Sequence, residues 1–124
     1  MQLQPTELKL TMHCPMRVGM TARTRSHPRS RQVVIWMLLP PVESDLMVVT
    51  VDQHKVREGV KALTGNATYT THESVALAIA LYCMSQFPLV AECSVTVGRH
   101  EHTLFKDDQG WFEFEVTQRV KRTG

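Results

Sequence analysis

The residues best placed to do chemistry stand at the entrance of one apolar stretch, Thr70-Thr71-His72-Glu73-Ser74, which leads into Val75-Ala76-Leu77-Ala78-Ile79-Ala80-Leu81-Tyr82-Cys83-Met84. Glu73 is the last charged side chain before Glu92. A carboxylate in the first turn of a helix is favoured by the helix dipole. It can accept two parallel hydrogen bonds from a planar N–H pair such as an amidine or guanidine edge. A local role is also open to it, because Thr70-x-x-Glu73 has the capping-box pattern, in which the Glu reaches back to the N-cap amide.

Two further groups carry charge or ligand atoms. Arg23, Arg25, Arg29 and Arg31 fall within a Ser/Thr/Pro-rich connection, Thr21 to Arg31, and such a positive segment attracts phosphate on a small molecule or a nucleic acid. The large aromatics Trp36 and Trp111 do not interleave with it, so a nucleic-acid partner is not expected. His100-Glu101-His102 sets two imidazoles on one side of an extended segment, a spacing a metal could use. No spacing places a third ligand among His13, His27, His54 or His72, so these read as solvated turn histidines and no metal site is expected.

The elements that must position these groups can be read in order. Residues 7–19 begin as an alternating strand interrupted at Pro15, which suggests a bulge or an edge. Gln32 to Leu39 is β-branched and aromatic, ends at Pro40-Pro41, and forms a hairpin partner for the first strand. Asp52 caps a helix whose Val56, Val60 and Leu63 recur at helical spacing and which stops at Gly65-Asn66. The stretch after Glu73 is too long for one strand and apolar nearly all round, so it reads as a helix that must be buried. At about 16 residues it is too short to cross a bilayer. A strand over 90–98, a polar turn closing at Asp108-Gln109-Gly110, and an alternating strand Trp111 to Gln118 follow, with a loose basic tail from Arg119 to Gly124. The order is strand, strand, helix, helix, strand, strand: an α+β domain of four antiparallel strands with two helices on one face, leaving the other sheet face to be covered.

Composition fits one domain of 124 residues. So apolar a helix in so small a chain points to an oligomer. Cys14, Cys83 and Cys93 are odd in number and widely spaced, with no Cys-x-x-Cys, as expected of core thiols in a reducing cytoplasm. The net charge of +2 conceals an asymmetry: residues 1–42 carry +5 and residues 43–124 carry −3.

The element order, Val51-Asp52-Gln53-His54-Lys55-Val56 opening the first helix, Thr71-His72-Glu73-Ser74-Val75-Ala76 opening the second, and Val95-Thr96-Val97 closing on a basic residue resemble dihydroneopterin aldolase and its sister epimerase, members of the tunnelling fold. The likeness spans roughly residues 7–119 and implies a ring-shaped barrel of identical subunits, tetrameric or octameric. It implies a pterin at the subunit interface with its amino-pyrimidine edge on Glu73, beside Thr71 and His72, and no cofactor. It also implies a lyase that cleaves 7,8-dihydroneopterin to 6-hydroxymethyl-dihydropterin and glycolaldehyde. The alternatives are an epimerase acting on phosphorylated dihydroneopterin and a non-catalytic pterin-binding or interaction paralogue.

Three family positions differ here. Gln53 stands where aldolases usually carry tyrosine, Arg99 near their lysine, and no carboxylate occurs between Glu7 and Glu43, where the family has an acid. An arginine is a poor general base, so Arg99, His100 or His54 would orient a water or carry a proton. In that family the first hairpin approaches the site, so Arg25 and Arg29 are expected to meet a phosphorylated side chain.

Overall fold

The computed structural model describes residues 1–43, 45, 50–99 and 113–123. Its elements are β1 (Thr6–Val18), α1 (Ala22–Arg25), β2 (Arg29–Leu39), α2 (Gln53–Gly65), β3 (Thr68–Tyr69), α3 (His72–Gln86), β4 (Glu92–Arg99) and β5 (Phe114–Lys121). The strands form one mixed sheet in the order β3-β1-β2-β4-β5, antiparallel except for β3, which runs parallel to β1. The class is α+β as expected, but the sheet has five strands, because Thr68–Tyr69 adds a two-residue strand too short to announce itself in sequence.

Alternation decides the two faces of the sheet. Cys14 and Met16 of β1, Val33, Ile35, Met37 and Leu39 of β2, and Cys93, Val95 and Val97 of β4 are buried, facing the helices. α2 adds Val56, Val60 and Thr64, and α3 adds Val75, Ala76, Ile79, Ala80, Cys83 and Met84. Burying such side chains contributes about 1.5–3 kcal/mol each and sets the register, since a one-residue slip would turn the whole set outward. The three cysteines are free, buried thiols. On the opposite face Trp36 Nε1 donates to Glu7 Oε1 at 3.0 Å, and the Thr96 and Thr117 hydroxyls meet at 2.8 Å.

Several expectations change. β1 runs through Pro15 in one-to-one register with β2, so there is no bulge; the proline is tolerated because this part of β1 is a sheet edge. The 21–31 connection is not all loop. Thr21 and Thr24 cap each other reciprocally to make the single turn α1, and Arg29 to Arg31 already belong to β2. α3 is not buried all round, since Leu77 and Leu81, one turn apart, are 40% and 50% exposed. Thr64 rather than Leu63 completes the buried stripe of α2, because its hydroxyl is satisfied by the Val60 carbonyl at 2.9 Å. The tail is not loose at its start: Arg119 to Lys121 pair with β4, and Arg122 donates to the carbonyls of Val90 at 3.1 Å and Met84 at 2.8 Å. The expected closing turn at 108–110 and the first residues of the last strand, Trp111 and Phe112, lie outside the described residues.

Candidate active site

The start of α3 is built differently from the expected capping box. Thr71, extended at φ −131° and ψ 156°, is the N-cap, and its Oγ1 accepts from Ser74 N at 3.1 Å. Glu73 is therefore one position too early to close a box with its cap. The cap falls one residue after Thr70, and the role of third helical residue falls to Ser74, whose Oγ lies 2.8 Å from Thr71 Oγ1. Glu73 is exposed and makes no hydrogen bond or ion pair with any described residue. The helix does not consume its carboxylate.

Next to it, His72 is half-buried against two neighbours. Its ring meets Phe114 edge-on, with centroids 4.7 Å apart, and its Nε2 accepts from Arg31 Nε at 3.4 Å. The Arg31 guanidinium also lies over the Phe114 ring at 5.7 Å, and its Nη1 donates to Ser30 O at 3.0 Å. Burial, with the Arg31 charge second, lowers the His72 pKa below its ordinary value, and Glu73 opposes both. Arg31 is 9% exposed, a buried charge at the end of the inward-facing row. By composition it belongs with the hairpin arginines, yet the odd-numbered row Arg31, Val33, Ile35, Met37, Leu39 carries the signal that turns it inward. Phe114 opens β5 on the same side, opposite Arg99 at the end of β4. Arg99 is half-buried there and continues the inward parity of Cys93, Val95 and Val97. Thr71, His72, Glu73 and Arg99 thus gather at one end of the sheet, joined by Arg31 and Phe114.

Gln53 and His54 do not join them. They are exposed at the first turn of α2, where Asp52 Oδ1 accepts from His54 N at 3.0 Å. With Leu10, Met12, Val51 and Arg57 they line a cleft of about 410 Å3 beside the open edge of β1. α2 packs against β1, whereas α3 packs against β4 and β5. Gln53 and His54 therefore sit over the β1 edge of the sheet and the Glu73 group toward β4 and β5. Arg25 is turned back onto its own loop, donating from Nη1 to Gly19 O at 2.9 Å, and Arg29 is exposed at the start of β2. The His100-x-His102 pair lies outside the described residues, and among those described no cluster of three or more His, Cys, Asp or Glu could hold a metal.

The same arrangement of strands and helices occurs in solved dihydroneopterin aldolase structures. One from Vibrio cholerae superposes with a TM-score of 0.74, covering 98% of this chain and all of that one at 14% identity. The chain has the dihydroneopterin aldolase fold. The enzyme of Burkholderia thailendensis bound to guanine gives a TM-score of 0.69 at 16% identity, covering 96% of this chain and 93% of that one. The E. coli enzyme in complex with neopterin gives 0.70 at 12% identity, covering 90% and 98%. At such identities the likeness establishes the tunnelling-type fold. No protein-family model and no curated protein matches the sequence. No described helix is long and apolar enough to cross a membrane.

Proposed function

We propose that the chain binds a pterin through its amino-pyrimidinone edge at Glu73 and cleaves the side chain of 7,8-dihydroneopterin to give 6-hydroxymethyl-dihydropterin and glycolaldehyde. The observation that carries this reading is the Glu73 carboxylate, held in the first turn of α3 with no hydrogen-bond or ion-pair partner among the described residues. Guanine and neopterin, the ligands of two structures with this fold, share an N–H pair suited to a carboxylate.

The opposite placement of the two half-sites supports a shared site. If the β5 edge of one copy runs antiparallel to the open β1 edge of the next, Gln53 and His54 of the second copy approach Glu73, His72 and Arg99 of the first. Where the rotation between copies closes, repeating that step gives a ring in which no β1 or β5 edge is left unpaired. In the cleavage a proton leaves the second side-chain hydroxyl and the adjacent C–C bond breaks. The electron pair passes into the ring imine, glycolaldehyde departs, and the remaining carbon is protonated. Arg99, permanently charged, orients a water or the departing oxygen, while His54 supplies an imidazole able to take and return the proton.

A second reading, a phosphorylated dihydroneopterin as substrate of an epimerase, is favoured by the basic end of the first hairpin. Arg17, Arg23 and Arg29 are exposed there, with no carboxylate between Glu7 and Glu43. Incubation with 7,8-dihydroneopterin separates the cases. Release of glycolaldehyde supports the aldolase, turnover confined to the phosphorylated substrate supports the epimerase, and binding without turnover supports a non-catalytic pterin binder.

A further inference from the structure

We infer that Arg31 is a positioning residue that fixes His72 as its Nδ1–H tautomer, so that the start of α3 offers a neutral N–H donor beside the Glu73 acceptor and selects a 4-oxo over a 4-amino heterocycle. The inference rests on the pterin-binding reading above and names the part of the ligand that His72 reads.

A guanidinium can only donate hydrogen bonds. The Arg31 Nε that approaches His72 Nε2 at 3.4 Å therefore requires a lone pair on that nitrogen, and the ring proton must sit on Nδ1. The imidazolium would turn two donors on each other beside a like charge, and burial disfavours it as well. The Phe114 ring, in contact with His72 at 4.7 Å and with the Arg31 guanidinium at 5.7 Å, restrains both partners from β5. Three elements thus set the state of one imidazole. His72 Nδ1 makes no hydrogen bond with a described residue, and neither does the neighbouring carboxylate. A carboxylate acceptor with an adjacent neutral donor is the complement of an edge that presents N–H groups followed by a carbonyl, as a 2-amino-4-oxopyrimidine does. With a 4-amino group in place of the carbonyl, donor would face donor at His72 and the unprotonated N3 would turn a lone pair toward Glu73, so the part due to His72 is read as the change in preference between variants. Sites built to hydrogen-bond one polar group reject the analogue that lacks it far more strongly than apolar pockets reject a change of shape.

The test compares pterin with 2,4-diaminopteridine by fluorescence titration of the full chain. Wild type is expected to prefer pterin by about tenfold or more. His72→Asn keeps an N–H near the Nδ1 position and should keep the preference. His72→Asp puts an acceptor there, suits a helix first turn, and should narrow it, the unprotonated N3 of the diamine still facing Glu73. Arg31→Met removes the donor that fixes the tautomer and should bring the two ligands toward parity. Independently of any ligand, the 15N chemical shifts of His72 should report an unprotonated Nε2 in wild type and tautomer averaging in Arg31→Met, with Arg31→Lys restoring the wild-type pattern in part. An unchanged preference in His72→Asp, or a protonated Nε2 in wild type, overturns the inference while leaving pterin binding at Glu73 intact. Failure of wild type to bind either heterocycle removes the pterin-binding reading and the proposed selectivity with it, and the 15N spectrum still decides the tautomer.

Discussion

Arg31 Nε and His72 Nε2 meet at 3.4 Å where the first turn of α3 passes over the start of β2, so a fixed positive charge donates into an imidazole that must stay neutral. Burial first and Arg31 second lower the His72 pKa from its ordinary 6.5. As pH falls, the unfolded chain takes up this proton before the folded one does. The contribution of His72 to stability is therefore complete above about 6.5 and is lost as pH falls through the folded value. Urea midpoints measured from about pH 7 to about pH 5 should fall more steeply for wild type than for His72→Asn. Equal slopes would show that the imidazole is not held neutral.

Gly59, inside α2, faces Tyr82 of α3 so closely that an added Cβ would lie 1.8 Å from the Tyr82 Oη and 2.1 Å from its Cζ. Gly59→Ala gains helix propensity but overpacks this contact, and a net destabilisation of about 1–3 kcal/mol is expected from chemical unfolding. Tyr82→Phe should not relieve it, because the ring itself is in the way. Combination with Tyr82→Leu should. A stabilised Gly59→Ala would mean that the helices can part at no cost.

The hairpin arginines should separate by role. Arg25 ties α1 to the Gly19 carbonyl, whereas Arg29 is exposed. Arg25→Ala is expected to lower the thermal midpoint. Arg29→Ala should leave folding unchanged and weaken neopterin phosphate by about 1.5–3 kcal/mol per charged hydrogen bond, with little effect on neopterin. Equal losses for both ligands would assign Arg29 no part in phosphate recognition.

A site shared between copies can be tested by mixing. Glu73→Gln and a Gln53→Ala/His54→Ala double variant each damage one half-site. Co-assembled in equal amounts, they should regain activity at about a quarter of the seams, where two intact halves meet. Activity that stays at the level of the separate variants would place both halves in one chain.

Much of this fold could be read from the chain because burial writes a period into it. The row Val33, Ile35, Met37, Leu39, the Asp52 cap, the Gly65-Asn66 stop and the Glu73 entrance all appear where local chemistry puts them. The failures occur where a neighbour decides. Thr70 and Thr71 are equally good caps by type. The choice falls on Thr71 because Tyr69 is still paired with Val18 and accepts from Gly19 N, which keeps the chain extended for two more residues. Arg31 has the composition of one more hairpin charge, and only its parity with Val33 marks it as buried. The placement of Gln53 and His54 over the β1 side of the sheet, away from Glu73, follows from strand order, which no local pattern encodes.

In the proposed function Glu73 anchors the pterin edge. Titrating neopterin into wild type and into a folded Glu73→Gln variant tests it most directly. Wild type should bind, and the variant, which replaces one carboxylate oxygen with an N–H that repels the ligand donors, should bind weaker by about 2–4 kcal/mol for two charge-assisted hydrogen bonds. Equal affinity in the two proteins would mean that Glu73 does not hold the pterin.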